Sequence, residues 1–509
     1  MVTRLFRIIV ALAGASLAAS AAESAGFALA QRHWVETRSA HFNIYSCAAQ
    51  SDVFALGARL EQFSEAFALL AGAQALSSPP IIVMAFPDHE AMAPFLPLYQ
   101  GKPGNFGGFF KRGSDENLIV LALPSTNSAF TGLEVIFHEY AHLLFRRNGH
   151  VWPLWLNEGI ADVYSTFESS GFIVRIGKPI EPYVELLQHR PLMPLHELFV
   201  VNQDSPAYNE TSRQGIFYAQ SWLLTHYLMS GGTVGYQARF ARFTQLLRDG
   251  QVPEQAFTNA LQTSLPAMEQ QLNRYLERGV FSPMQWALPM SVDSAKAMST
   301  RVLTPVEVYF RLGSELLRIK RYDTAGIYFE RAKKLAPASP LPYEGLGMLA
   351  AAQEQHANAV QQLKEALQRG SGSFLAHYVY AREKYQLTAD AQNRFSPLPQ
   401  RQAVELQTEW EKAIALMPSF GPAYESLGFF EMVQADDLNR AEKHLELAVQ
   451  LEPDNPSYLI GLAQAQLSNH KPDAARRTIG PLLLPTAEPR LRKPAEELLK
   501  EINATQPKP

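Results

Sequence analysis

A period of 34 residues near the carboxy terminus constrains this chain more than any other feature. Counted from Val306, the residues Tyr309, Leu312, Gly313, Ala325, Phe329, Ala332 and Pro337 occupy positions 4, 7, 8, 20, 24, 27 and 32. One period later come Tyr343, Leu346, Gly347, Ala359, Leu363 and Ala366. Tyr424, Leu427, Gly428, Ala441, Leu445, Ala448 and Pro453 repeat the series with one inserted residue. Small residues let paired helices approach, aromatic and leucine positions fill the seam, and proline ends the second helix. A single unit cannot bury its apolar face, so residues 303–490 must stack as an all-α solenoid.

These columns resemble the tetratricopeptide repeat. A degenerate unit spans about 374–420, with an insertion near Ser396–Gln400, and a weaker one spans 456–489. The resemblance implies a concave surface that binds a protein. It also implies units that touch mainly their neighbours, so residues up to about Met298 are expected to fold without the array. Residues 491–509 read as a carboxy-terminal tail.

At about 150 residues per domain, 509 residues suggest three domains. Ahead of the repeats the texture is mixed. Residues 31–125 alternate strands and helices. His41–Tyr45 and Pro80–Phe86 read as strands, residues 52–71 as a helix, and Phe106–Phe110 with Leu118–Leu123 as a hairpin about the polar turn Arg112–Asn117. Residues 126–290 read as mostly helical. At the start, Arg4 and Arg7 stand at the head of an apolar run, roughly Leu5 to Ala19, and Ala19-Ser20-Ala21 and Ala28-Leu29-Ala30 fit a small-x-small cleavage pattern. Residues 1–30 therefore read as a signal peptide, cleaved near 21 or 30, or as an uncleaved membrane anchor. Either predicts an exported protein, periplasmic or secreted, with no other membrane span. A net charge of -4 offers no basic surplus for nucleic acid. A single cysteine, Cys47, excludes an intramolecular disulfide framework and a Cys-rich zinc finger.

Residues 131–145 read TGLEVIFHEYAHLLF. His138 and His142 stand four apart, so a helix carries both imidazoles on one face, with Glu139 beside it. This HExxH pattern offers two zinc ligands and a carboxylate base. Val135, Ile136, Phe137, Ala141, Leu143 and Leu144 bury the helix on most sides, and unpaired imidazoles there would be costly without a metal. A catalytic Zn²⁺ needs a third ligand and an open position. In Asn157-Glu158-Gly159-Ile160-Ala161-Asp162, Glu158 can ligate while Asp162 hydrogen-bonds a ligand histidine. A metzincin frame requires glycine at 145 and histidine at 148, where this chain has Phe145 and Asn148.

HExxH followed by N-E-G-[aliphatic]-A-[acid] resembles the gluzincin metallopeptidases, and the aminopeptidase branch in particular. The 15 residues between His142 and Glu158 make this gap about one helical turn shorter than that branch usually has. The segment from Tyr218 resembles the branch's Y-x-K-G stretch, with Gln220-Ser221 in place of K-G. The resemblance implies that Tyr218 donates to the developing oxyanion; packed in a helix core it would do nothing of the kind, and His226, well round the same helix, is the alternative donor. Gly113–Asn117 is similar to G-x-M-E-N, with Asp115 for the methionine, and would give Glu116 the substrate's amino group to hold. The same residues suit a plain hairpin turn. As a whole the chain looks most like peptidase-MA-like bacterial proteins that join a gluzincin core to tetratricopeptide repeats. The fold expected is an α+β zincin-type catalytic domain followed by an all-α solenoid. The function expected is zinc-dependent hydrolysis of a peptide or protein substrate, with the repeats recruiting that substrate or another protein. The alternatives are a non-catalytic zincin-fold scaffold and a structural zinc site.

Overall fold

The computed structural model describes residues 26–71, 81–99, 102–104, 107–123, 131–147, 152–170, 173–202, 205–209, 211–231, 235–287, 298–435, 437–453, 455–483 and 489–504. Residues 1–25, which hold most of the signal-like segment, lie outside them.

The amino-terminal region is built on a mixed six-stranded sheet. Its strands are β1 (Val35–Arg38), β2 (Phe42–Ser46), β3 (Ile81–Phe86), β4 (Gly108–Lys111), β5 (Leu118–Ala122) and, far along the chain, a strand at Ser299–Val302. The order runs Ser299–Val302, β1, β2, β3, β5, β4. The pairings β2–β3 and β3–β5 are parallel, and the others are antiparallel. Every side chain of β3 is buried, as a central parallel strand covered on both faces requires. The hairpin of β4 and β5 forms about the polar turn, with Lys111 opposite Leu118.

One face carries Phe42, Ile44, Ile81, Val83 and Ile119. Against it pack α1 (Gln50–Ala71), through Leu56, Leu60 and Phe63, and α2 (Thr131–Arg147), through Phe137 and Tyr140. Then follow α3 (Leu154–Ser165), β6 (Glu168–Ser170), β7 (Ile173–Ile176), α4 (Glu181–His189), α5 (Thr211–His226), α6 (Tyr236–Arg248), α7 (Pro253–Leu261), α8 (Leu265–Arg278), β8 (Met284–Ala287) and the sheet strand β9 (Ser299–Val302). The strands β6, β7 and β8 make a small antiparallel sheet within a stretch read as mostly helical. At three or four residues each, they are too short for alternation to announce them.

The repeats follow as helix pairs: α9 (Pro305–Arg318) with α10 (Tyr322–Leu335), α11 (Leu341–Ala352) with α12 (His356–Gln368), α13 (Phe374–Gln386) with α14 (Gln400–Leu416), α15 (Gly421–Gln434) with α16 (Leu438–Leu451), and α17 (Pro456–Ser468) with α18 (Pro472–Ile479). The recurring glycine marks closest approach within a pair. A Cβ on Gly313 would lie 2.7 Å from Phe329, and one on Gly428 would lie 2.8 Å from Leu445.

Three expectations need correction. The tail is α19 (Pro489–Ala504), whose Leu498 and Ile502 are buried with Ala463, Ala475 and Ile479. A solenoid's last unit otherwise leaves its apolar face open to water. Cleavage near residue 30 would remove structure: Leu29 and Ala30 are buried, Phe27 stacks on Tyr328 of α10 at 4.9 Å, and Trp34 Nε1 donates to the Leu29 carbonyl. Cleavage near 21 spares all of this.

The third concerns independence of the repeats. The second sheet face, with Tyr45, Ile82, Met84, Phe86 and Val120, is covered by Val308, Tyr309, Leu312, Leu316 and Tyr328 of the first repeat. Strand β9 pairs with β1 just before α9, and Leu303 N–H donates to the Trp34 carbonyl at 2.9 Å. Arg311 stacks over the Tyr45 ring at 4.4 Å. A boundary at residue 303 therefore cuts through a core.

Candidate metal centre

Helix α2 lies between the sheet and α3. Its apolar residues Ile136, Phe137, Tyr140 and Ala141 are buried, which turns His138 and His142 toward α3. Helix α3 is buried along most of its length because it packs between α2 and α5. The contact with α5 is close at Gly159: a Cβ there would lie 2.3 Å from the Ser221 carbonyl oxygen. That contact fixes the neighbouring Glu158 against the histidines.

Three ligand atoms converge. His138 Nε2 and His142 Nε2 are 3.1 Å apart, and each is 3.4 Å from Glu158 Oε2. Zinc–ligand bonds of about 2.0–2.1 Å in a tetrahedron set ligands roughly 3.3–3.4 Å apart. The triangle therefore fits a tetrahedral divalent ion, and two imidazoles with one carboxylate are a zinc-type donor set.

The far ring nitrogens are held as well. His138 Nδ1 donates to Asp162 Oδ1 at 2.9 Å, and His142 Nδ1 donates to Asn157 Oδ1 at 3.2 Å. Both bonds direct Nε2 at the common point. Asp162 was anticipated in this role. Asn157 was not, although it stands in the N-E-G stretch; its signal was being one residue from Glu158 on a helix already assigned to the site.

Electrostatics bind the four groups together. Burial disfavours a charged His138, but hydrogen bonds to Asp162 and Glu158 overcome it and push the imidazole up to about 10. Burial likewise opposes a charged Glu158, and hydrogen bonds from His138 and His142 overcome it, holding the carboxyl down at about 2. Asp162 Oδ2 is buried and has no hydrogen-bond partner among the described residues.

Glu139 sits half-buried, next along α2. It has no ion-pair or hydrogen-bond partner among the described residues. Tyr218, on α5, is raised above the ordinary phenol range by burial and next by the Glu158 carboxylate. Tyr183 of α4 is a residue the sequence did not reveal. Burial and then the Asp162 charge raise its phenol, and its ring packs 6.3 Å from Trp222.

Two readings are corrected. Glu116 is paired with Arg318 at 2.9 Å and Arg311 at 3.6 Å, and Asp115 also pairs with Arg318. Its carboxylate is committed to the first repeat and does not join the histidine cluster. His226 offers no alternative donor to Tyr218. It is fully buried, with Nε2 2.7 Å from the Gly177 carbonyl and Nδ1 2.8 Å from the Tyr275 hydroxyl.

Residues 306–339 and 432–493 each match the tetratricopeptide repeat family. The carboxy-terminal part of the chain is therefore a tetratricopeptide-repeat array. No curated protein matches the chain. Among solved structures, the thermophilic tetratricopeptide-repeat protein TTC0263 from Thermus thermophilus is 22% identical, covering 38% of this chain and 99% of its own, with a TM-score of 0.30. YrrB, a tetratricopeptide-repeat protein with an unusual peptide-binding site, is 13% identical, covering 39% of this chain and 91% of its own, also at 0.30. PilF from Pseudomonas aeruginosa is 17% identical, covering 39% and 89%, again at 0.30. No helix among the described residues is long and apolar enough to cross a membrane.

Proposed function

We propose that this protein is a zinc-dependent peptidase whose repeats bind a protein substrate or partner. One observation carries the catalytic half: three donor atoms at tetrahedral-edge spacing, with a carboxylate that has no partner among the described residues, Glu139, on the helix of the two histidines. His138, His142 and Glu158 would hold the ion. When bound, zinc supplies Lewis acidity to a carbonyl oxygen and acidifies a water. Glu139 takes a proton from the attacking water at its carboxylate and passes it to the departing amine nitrogen. The Tyr218 hydroxyl donates to the carbonyl oxygen as negative charge gathers there. Asp162 and Asn157 keep the two imidazoles turned. The repeats supply protein binding, and the signal-like amino terminus supports export to the periplasm or beyond.

A second reading is favoured by where the family matches fall: only within the repeats. On that reading the amino-terminal domain is a non-catalytic support for a protein-binding array. Elemental analysis of tag-free protein, followed by cleavage of a denatured protein mixture with and without chelator, separates the two. One zinc per chain with chelator-sensitive cleavage supports the peptidase. A folded, zinc-free and inert protein that still captures a partner supports the scaffold.

A further inference from the structure

The third repeat differs from its neighbours by an insert. Helices α9 and α10 are joined through residues 319–321 alone, whereas α13 and α14 are separated by residues 387–399. The insert is closed upon itself. Asp390 accepts the backbone N–H groups of Gln392 and Arg394, both at 2.9 Å, and pairs with the Arg394 guanidinium. Asn393 takes a left-handed backbone, and its side chain accepts from Gln386. Within residues 390–399 only Phe395 and Leu398 are partly buried.

Phe395 lies on the array itself. Its ring stacks on Tyr385 of α13 at 4.4 Å and meets Phe429 of α15 edge-on at 5.7 Å. Those are the first helices of consecutive repeats, and Tyr385 also meets Trp410 of α14 edge-on at 5.9 Å. Three residues on, Leu398 N–H donates to Gln434 Oε1 at 3.1 Å. The slot is thus filled by one aromatic ring and one backbone donor. Its polar needs are not met: the Tyr385 hydroxyl and Gln434 Nε2 are buried without a hydrogen-bond partner among the described residues. Each can donate a hydrogen bond, so an acceptor brought into the slot would satisfy both.

We propose that Phe395 is an intramolecular occupant of a peptide-docking slot between the third and fourth repeats. A partner segment in extended conformation docks there by replacing Phe395 with its own aromatic side chain. Its backbone carbonyls accept from Tyr385 and Gln434, which gives it the advantage over the insert. The inference rests on the reading of the repeats as a protein-binding surface and is independent of the metal centre.

The test uses the full chain and a fluorescent synthetic peptide of residues 391–399. A tethered occupant competes at an effective concentration on the order of millimolar. Phe395→Ala protein should therefore bind the peptide at least about tenfold more tightly than wild type. A peptide with Phe395→Ala should not bind, and Phe429→Ala in the Phe395→Ala protein should abolish binding. Circular dichroism shows whether each variant is folded. Should Phe395→Ala prove unfolded, hydrogen exchange on wild type reads the same event, since excess peptide should deprotect the insert. Equal affinity of wild type and a folded Phe395→Ala protein for the peptide, or for a protein partner, would remove the occupant while leaving the repeats a binding surface. No peptide binding to the folded variant, or a wild-type dimer that the peptide dissociates, would overturn the proposal.

Discussion

His138 lies at the head of a relay in which each member holds the next in place. Asp162 is buried and bonds His138 Nδ1. Removing such a carboxylate typically costs 10–100-fold in metal affinity. Asp162→Ala should therefore bind zinc about 10–100-fold more weakly in competition with a chromogenic chelator. Unchanged affinity would show that the carboxylate serves packing alone. The Tyr218 ring lies 5.9 Å from that of Tyr208, and the Glu158 carboxylate adds to burial in raising its phenol. Its hydroxyl matters only when charge develops on the carbonyl oxygen. Tyr218→Phe should lower turnover by about 10²–10³ with little change in Michaelis constant or unfolding midpoint. Near-normal turnover with a lowered midpoint would make it a packing residue.

Helix α9 belongs to two structures at once, since it opens the solenoid and covers the sheet. Glu315 on this helix is 2% exposed, and its Oε1 has no partner among the described residues. Burial outweighs the neighbouring Arg318, Lys111 and Arg311 and raises its carboxyl to about 8. In the unfolded chain the group ionises near the ordinary value of 4.5. Between those values the unfolded chain binds fewer protons, so this contribution to stability falls as pH rises from about 4.5 to about 8, then levels off. Glu315→Gln should flatten that slope and raise the unfolding midpoint at pH 8 relative to pH 5.5. An unchanged slope would contradict the buried neutral carboxyl. Elements of this kind also mark where sequence reading stopped. HExxH and N-E-G were legible because, within each, the paired residues His138 and His142, and Glu158 and Asp162, stand four apart on one helix. The repeats were legible because periodicity survives any detail of packing. The apolar run of β3 announced burial on both faces but not that α9 and α10 would cover one. Glu116 was left open between two readings because residues 113–117 look the same as a site or as a turn. Its partner Arg318 lies 202 residues away, beyond any local pattern. Phe395 gave no signal, since a loop residue shows its contact only once two repeats have stacked.

Across the whole molecule, the sheet joins the candidate metal centre to the array: α1 and α2 cover one face, and the first repeat covers the other. Truncation after Met298 should remove β9 and uncover Tyr45, Ile82, Met84, Phe86 and Val120. The product should aggregate or melt without cooperativity. Truncation after Arg369, which keeps two repeats, should leave a cooperative thermal transition by circular dichroism. A sharp transition in the shorter fragment would contradict the shared core. The central claim, that the histidine cluster is a working zinc site, is tested most directly by one comparison. Wild type and Glu139→Gln, free of any histidine tag, are assayed side by side for zinc content and for cleavage of a denatured protein mixture. The account predicts one zinc per chain in both, with chelator-sensitive cleavage by wild type alone. Equal cleavage by the two proteins, or wild type fully loaded with zinc and inert, would contradict it.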